Sequence, residues 1–559
     1  MNERKKRILI VGGVAGGASC AARLRRLCET CDIVLYDKGQ HVSFANCGLP
    51  YFVGNVIEDE AKLLVATPDL FNHRFNIEVH TEHEVLQIDR EKKTILVKNL
   101  QDDSVSEEPY DALVLSTGSK AIRSPLPGID LSGIFVLRTI PDSHKLRNAA
   151  KNAKRAVIIG AGFIGLEMAE NLANLGLSVT MVEMASQVMP PLDPDMAFYV
   201  EDGLQENGIE LLLGSAVESF TQQDDALLVH CSGGRTIPAD LVLLAIGVLP
   251  ESSLAKQAGL QLGVRGGIHV NETMQTSDPH IWAVGDVITV TDTVTGQEMT
   301  VPLAGPANRQ GRIAAGAILE SFDPSLRRNL RFRGVQGTSV CQVFSQTIAI
   351  TGASEKSLHR AGIDDYQVVY LHPGHHVGYF PGAHPIHIKL LFAEPDGRIL
   401  GVQAVGQEGV ARRVDVIAMA MQMGATVFDL EESELCYAPQ FGAAKDPVNM
   451  AGMIASNYLR GDLPLADWSR LDDSGHALLD VRSESEFRAG HIPGAINIPI
   501  EQLRDRIQEL PGDGQLWVVC AVGQRAYYAI RLLLQHGFDA RILSGGMQTY
   551  RAKSQVKGV

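Results

Sequence analysis

Arg7-Ile-Leu-Ile-Val11, then Gly12-Gly13-Val14-Ala15-Gly16-Gly17, then Ala21-Ala22-Arg23-Leu24-Arg25-Arg26-Leu27 reads as an apolar strand, a glycine loop and a helix-forming run. Backbone amides at such a helix start can face a pyrophosphate, because the side chains there are too small to block approach and the helix N-terminus favours anions. Twenty residues past Gly17, Asp32-Ile-Val-Leu-Tyr-Asp37 reads as a second strand ending in a carboxylate placed to hydrogen-bond a ribose, with Lys38 beside it. Val14 stands where the fingerprint has its central glycine, so taken alone this stretch also fits an ordinary glycine turn.

A second loop has no such defect. Ala156-Val-Ile-Ile leads into Gly160-Ala161-Gly162-Phe163-Ile164-Gly165, a helical run follows, and the strand from Ser178 ends at Glu183. An acid at that position accepts from both ribose hydroxyls and repels a 2′-phosphate, which favours NADH over NADPH. Two dinucleotide folds some 150 residues apart imply two dinucleotides meeting face to face, one of which can be a flavin. The segment from Thr276 to Gly285-Asp286 fits this, as a short strand whose terminal carboxylate can hold a ribityl hydroxyl.

The bulk numbers agree. A chain of 559 residues is too long for one core and predicts three or four domains. Its formal charge of -15 argues against nucleic acid. No run approaches the roughly 18 apolar residues of a membrane span, and the apolar start is broken by glycines, so a cytoplasmic location is expected rather than a secreted one. The eight cysteines (20, 28, 31, 47, 231, 341, 436, 520) read as scattered, with neither a CxxC pair nor a His/Cys spacing suited to zinc. Unpaired thiols and no metal are therefore expected. His372, His375, His376 and His384 have irregular loop spacing that suits surface or substrate-pocket histidines better than metal ligands.

Val114-Leu-Ser-Thr117-Gly118-Ser119, Leu243-Leu-Ala-Ile-Gly247-Val-Leu-Pro-Glu251 and Ala283-Val-Gly285-Asp286, in this order, resemble the pyridine nucleotide-disulfide oxidoreductases over roughly residues 1–455. The resemblance implies FAD on the first loop, Thr117, Gly118, Gly285 and Asp286, NADH on the second loop and Gly247, and a C-terminal dimerisation domain. Most of that family has two redox cysteines five positions apart, whereas Ser43-Phe-Ala-Asn46-Cys47-Gly-Leu-Pro-Tyr51 is followed by Phe52. Cys47 would then cycle through a mixed disulfide, persulfide or sulfenic acid. The segment is similar to that of the coenzyme A-disulfide reductases, in which the lone cysteine pairs with coenzyme A. The same resemblance implies that Tyr379 and Tyr437 reach the partner subunit's active cysteine in a homodimer; a packing role at the interface is the alternative. Coenzyme A needs cations. Arg23 and Arg26, on one helical face, are either ligands or a solvated pair; Arg309 and Lys445 are further candidates, with Asn308, while Ser43 and Asn46 flank the cysteine.

After residue 468 the pattern changes. Asp480-Val-Arg482-Ser-Glu-Ser-Glu486 through His491, then Cys520-Ala-Val-Gly-Gln-Arg525, is similar to a single rhodanese domain. Loop amides, a helix start and Arg525 would favour a thiolate or persulfide at Cys520, while Asp480, Arg482, Glu486 and His491 read as structural. A C-x4-R loop suits sulfur where C-x5-R suits phosphate.

The expected architecture is α/β throughout: two Rossmann-like domains (FAD, 1–120 with 255–328; NAD, 121–254), an α+β dimerisation domain (329–455), a linker (456–467) and an α/β rhodanese domain (468–559). The expected activity is NADH-dependent reduction of persulfide or polysulfide sulfur to hydrogen sulfide at Cys47, with delivery by Cys520. Coenzyme A-disulfide reductase, NADH oxidase or peroxidase, and a non-enzymatic redox or sulfur sensor are the alternatives.

Overall fold

A computed structural model describes residues 5–224, 226–326, 328–473 and 475–556. The chain forms two compact units, residues 1–185 with 208–335 and residues 186–207 with 336–559.

The first unit contains two five-stranded parallel sheets. In one, Arg7–Val11 lies between Asp32–Tyr36 and Ala112–Leu115, with Glu78–His80 and Ile281–Ala283 outside them. In the other, Arg155–Ile159 lies between Ser178–Val182 and Leu241–Leu244, with Glu210–Leu212 and Ile134–Phe135 outside. The central strands are almost wholly buried, which is why they read as unbroken apolar runs rather than alternating ones. Each glycine loop leaves the carboxyl end of its central strand, where strand order reverses and ligand crevices form. The helix Ala15–Leu27 packs so closely on Ala304–Phe322 that a Cβ on Gly311 would stand 2.4 Å from the Gly16 carbonyl oxygen.

The expectation of unpaired thiols fails at one place. Cys28-Glu29-Thr30-Cys31 is a CxxC sequence after all, and its two sulfurs are bonded. The helix ends at Leu27 and the chain turns into the strand at Asp32, bringing the two Cα atoms to 5.6 Å, within disulfide range.

The second unit is built on a five-stranded antiparallel sheet in which Tyr366–Leu371 forms one edge, beside Ile386–Ala393. The helices Val410–Gln422 and Pro447–Leu459 contribute to its core. A four-stranded parallel sheet follows, in the order Ile496–Asn497, His476–Asp480, Gln515–Val519 and Asp539–Ile542. The stretch expected as a linker is built in: Pro447–Leu459 runs into it, Leu465 bridges to Ile542, and the Ala466 amide donates to the Ile542 carbonyl at 2.9 Å. This C-terminal domain also shares a buried cluster with the antiparallel sheet, in which Tyr370 packs among Trp468, Trp517, Leu543 and Met547. The Ser544 hydroxyl accepts from the Tyr370 amide at 2.9 Å and donates to its carbonyl at 3.2 Å. Beside them Lys389, 1% exposed, is held by Asp193 and Asp195, and Lys553 of the last helix reaches Asp195 at 3.0 Å. Burial acts to raise the Asp195 pKa, but the two lysines overcome it and hold the carboxyl below its ordinary range.

Candidate active site

A cavity of about 1410 Å³ opens at the first glycine loop and extends to Cys47. Gly12 has φ of 95°, and a Cβ on it would stand 2.2 Å from the Ser116 carbonyl oxygen; one on Gly17 would stand 1.9 Å from that of Gly12. Val14 caps the helix with φ of -85°, so the left-handed φ that favours glycine is not required there. Asp37 accepts from the Gly13 and Gly39 amides, both at 2.8 Å; burial pushes its carboxyl up and these amides oppose the shift. Gly16, Lys38, Thr117 and Gly118 line the same wall. Gly285 and Asp286 close the far end, where the Asp286 carboxylate accepts from Ser119 Oγ at 3.0 Å and Arg138 Nη2 at 3.1 Å.

The second loop begins at Gly160 with φ of 100°, and Gly165 sits against the Gly160 carbonyl. Gly162, by contrast, would place a Cβ with nothing within 4 Å of it, which leaves its face open to a close-approaching phosphate. Phe163 and Ile164 head the helix Phe163–Asn174. Glu183 accepts from the Ala161 and Ala185 amides at 2.8 Å, fixing the carboxylate at the strand end. Gly118 and Gly247 flank the paired strands Ser119–Ala121 and Val248–Pro250, so the two quoted motifs are neighbours in space.

Cys47 lies in the short turn Asn46–Gly48 and its side chain is exposed to the cavity. Phe52, where a second redox cysteine would stand, is 1% exposed, with the Arg147 guanidinium 4.3 Å above its ring. The enclosing protein, then the Glu167 and Asp286 carboxylates, push the Cys47 thiol above its ordinary pKa, while Arg138 opposes them. Glu167, on the helix after the second loop, is itself pushed up to about 7, chiefly by burial, with the Tyr51 hydroxyl 3.4 Å from it acting the other way. Ser43 has φ of 51°, a left-handed conformation that a serine adopts only under constraint.

Arg23 and Arg26 line the cavity with Arg312. The Arg23 pKa is lowered by burial and by Arg312, Arg26 and Arg328, and its Nε, like Asn46 Oδ1, is a buried atom with no hydrogen-bond partner. Among the described residues no carboxylate pairs with Arg23. A cluster of uncompensated cations and an orphaned amide oxygen beside a thiol fit a polyanionic thiol ligand. Asn308 is on this wall, accepting from Ser19 Oγ. Arg309, one helical position further, is not among the residues lining this cavity, and its guanidinium lies over the Phe332 ring at 5.7 Å. Arg312, four residues beyond Asn308 and on its face, lines the cavity.

A model of the pyridine nucleotide-disulphide oxidoreductases matches residues 6–311, more than half the chain. The chain belongs to this family. Its dimerisation-domain model matches residues 338–446, and a rhodanese-like domain matches residues 467–553. The chain is 36% identical over 448 residues to the coenzyme A disulfide reductase of Staphylococcus epidermidis, covering 80% of this chain and 99% of that protein. Among solved structures it is similar to reduced Bacillus anthracis CoADR-RHD (45% identity, 99% of each chain, TM-score 0.95). It is also similar to a NAD-dependent persulfide reductase from A. fulgidus (36% identity, 97% of this chain and 100% of that one, TM-score 0.90).

In this oxidoreductase the remaining candidates lie in the second unit. The Tyr379 and Tyr437 hydroxyls bond each other at 2.9 Å, and both rings are exposed, near exposed Phe380 and Phe441. Lys445 is exposed in the same dimerisation domain. Cys520, 1% exposed, directly follows the strand Gln515–Val519 and accepts from the Gly523 amide at 3.2 Å. Arg525 donates to both Glu486 oxygens at 2.7 Å, so its fork is occupied and its charge is held in place beside the loop. Asp480 and Arg482 form a buried pair, as expected of structural residues. Sequence reasoning missed Arg138, Glu167 and Arg312. For Glu167 the signal was an acid two residues past the last fingerprint glycine, on the face turned toward Tyr51.

Proposed function

We propose that this protein reduces the sulfane sulfur of persulfides or polysulfides, coenzyme A persulfide foremost, to hydrogen sulfide at Cys47 with electrons from NADH. The observation that carries this reading is the lone Cys47 sharing one cavity with Arg23, Arg26 and Arg312, which pair with no carboxylate among the described residues. With Phe52 in place of a second cysteine, the sulfur that bonds Cys47 must arrive on the substrate. The first loop, Asp37 and Asp286 fit FAD, and the open Gly162 with Glu183 fits NADH. Bound there, these two cofactors supply the electron pair that returns Cys47 to its thiolate.

Cys47 attacks the sulfane sulfur, and coenzyme A leaves as a thiolate whose phosphates the arginines hold. In a homodimer, Tyr379 of the partner subunit and Tyr437 of the partner subunit donate hydrogen bonds to the sulfur that leaves. Glu167 exchanges its proton near neutrality, and its ionised form is close enough to push the Cys47 thiol up. In the C-terminal domain Cys520 takes sulfur as a persulfide, stabilised by the Gly523 amide and the fixed charge of Arg525, and passes it on directly or through coenzyme A.

A second reading, coenzyme A disulfide as the substrate with an accessory C-terminal domain, is favoured by the burial of Cys520, which leaves its sulfur little access. Anaerobic NADH consumption with coenzyme A persulfide, coenzyme A disulfide and polysulfide separates the two. Faster turnover of the persulfide or polysulfide, with sulfide released and activity lost in Cys47→Ser, supports the first. Faster turnover of the disulfide, unchanged in Cys520→Ser, supports the second.

A further inference from the structure

Cys28 and Cys31 are joined across two residues at the end of the helix whose Arg23 and Arg26 line the cavity. Closing so short a loop removes little chain entropy, so the bond does little as a staple. The backbone around it is already fixed by another device. The Arg25 guanidinium, 6% exposed, donates to the carbonyls of Phe75 (2.8 Å), Glu29 (2.6 Å), Cys31 (2.9 Å), Cys28 (3.2 Å) and Asn76 (2.7 Å). Five neutral acceptors satisfy its hydrogen bonds without neutralising its charge, and among the described residues no carboxylate lies within ion-pair distance of it. A buried cation wrapped in the CxxC loop lacks only an anion, and opening the disulfide would create one. The two sulfurs are also unequal, since Cys28 is partly exposed whereas Cys31 is 6% exposed.

We propose that Cys28–Cys31 is a second thiol–disulfide centre of this protein, exchanging reversibly with low-molecular-weight thiols, with Cys28 as the attacked sulfur and Arg25 as the charge that receives the Cys31 thiolate. A small thiolate attacks Cys28 Sγ, the Cys28–Cys31 bond breaks, and its electron pair leaves on Cys31 Sγ. A second thiolate attacks the small thiol's own sulfur in the mixed disulfide, which forms the free disulfide and releases Cys28 as a thiolate. Two thiols are oxidised and one protein disulfide is reduced. The loop keeps its shape throughout because Arg25, not the S–S bond, holds its carbonyls, so the two sulfurs stay near bonding distance for reclosure.

The test equilibrates the holoprotein with glutathione buffers of graded reduction, quenches it in acid, alkylates it and digests it for mass spectrometry. The peptide carrying both cysteines is expected to pass from no alkylated thiol to two, and back on reoxidation, without denaturant. In Cys31→Ser a glutathione adduct is expected on Cys28, and at least tenfold less on Cys31 in Cys28→Ser. A bond that opens only when the protein is denatured, or adducts in equal amounts at the two positions, overturns the proposal. Should either variant fail to fold, the wild-type titration decides alone.

Discussion

The phenol oxygens of Tyr379 and Tyr437 lie 2.9 Å apart although 58 residues separate them in the chain. Such a pair can share one proton and present the other outward, and the bond holds the Tyr379 pKa above its ordinary value, so that phenol keeps its proton at neutral pH. Tyr379→Phe and Tyr437→Phe are each expected to lower kcat by ~100-fold or more, on the order of one positioned proton donor. The double variant should be little worse than either single one, because the two act as a unit. Losses that simply multiply would show two independent packing residues instead.

Glu167 titrates near neutrality. Its carboxyl is pushed up to about 7 by burial, so between the ordinary glutamate pKa and about 7 the folded protein keeps a proton that the unfolded chain has given up. Stability therefore falls as pH rises through that window. Glu167→Gln removes this term and is expected to gain up to about 3 kcal/mol relative to wild type between pH 5 and pH 8. Denaturant titration of the holoprotein at both pH values checks it. The pH dependence of NADH turnover should lose its inflection near 7 in the same variant.

The two chemistries should be separable. Arg525 and Glu486 hold each other through two 2.7 Å bonds, and this pairing keeps the Glu486 carboxyl down at about 2. Glu486→Gln breaks the fork and leaves Arg525 loose near Cys520. Sulfur transfer from thiosulfate to cyanide is expected to fall at least tenfold in Glu486→Gln and to vanish in Cys520→Ser. NADH-dependent reduction of coenzyme A disulfide should be unchanged in both.

Cofactor choice is expected to turn on Glu183, with Met184, 77% exposed, beside it. Glu183→Ala with Met184→Arg removes the charge that repels a 2′-phosphate and adds one that attracts it. The ratio of kcat/KM for NADPH to that for NADH should rise at least tenfold; an unchanged ratio would place the 2′ position elsewhere.

Much of the fold was legible because its signals are local. The glycines at 17 and 165 are required by contacts within one strand–loop–helix unit, whereas those at 12 and 160 also meet the carbonyls of Ser116 and Ala245 beyond the neighbouring strand; the run after Asp480 reads as strand and turn without its neighbours. Val14 looked like a defect only because sequence cannot show that the helix cap needs no left-handed residue there. Arg309 and Arg312 differ by three positions, and only the placement of their helix decides which faces the cavity. Cys28 and Cys31 were in plain sight in the sequence, and their bond depends on a turn that begins where the helix stops. The hold of Ser544 on Tyr370 joins residues 174 positions apart and leaves no local trace.

That last contact has a bearing on solubility. Tyr366–Leu371 is an edge strand, and an uncovered edge offers unpaired amides and carbonyls to any other chain that can lay a strand along it. The Ser544 side chain occupies both backbone groups of Tyr370, and the aromatic residues around it seal the adjoining surface. The appended domain thus acts as a guard at Tyr370, where the Ser544 side chain stands in the place an added strand would take. A chain cut before residue 468 would lose that guard along with Cys520, and insolubility in such a truncation would say nothing about sulfur transfer.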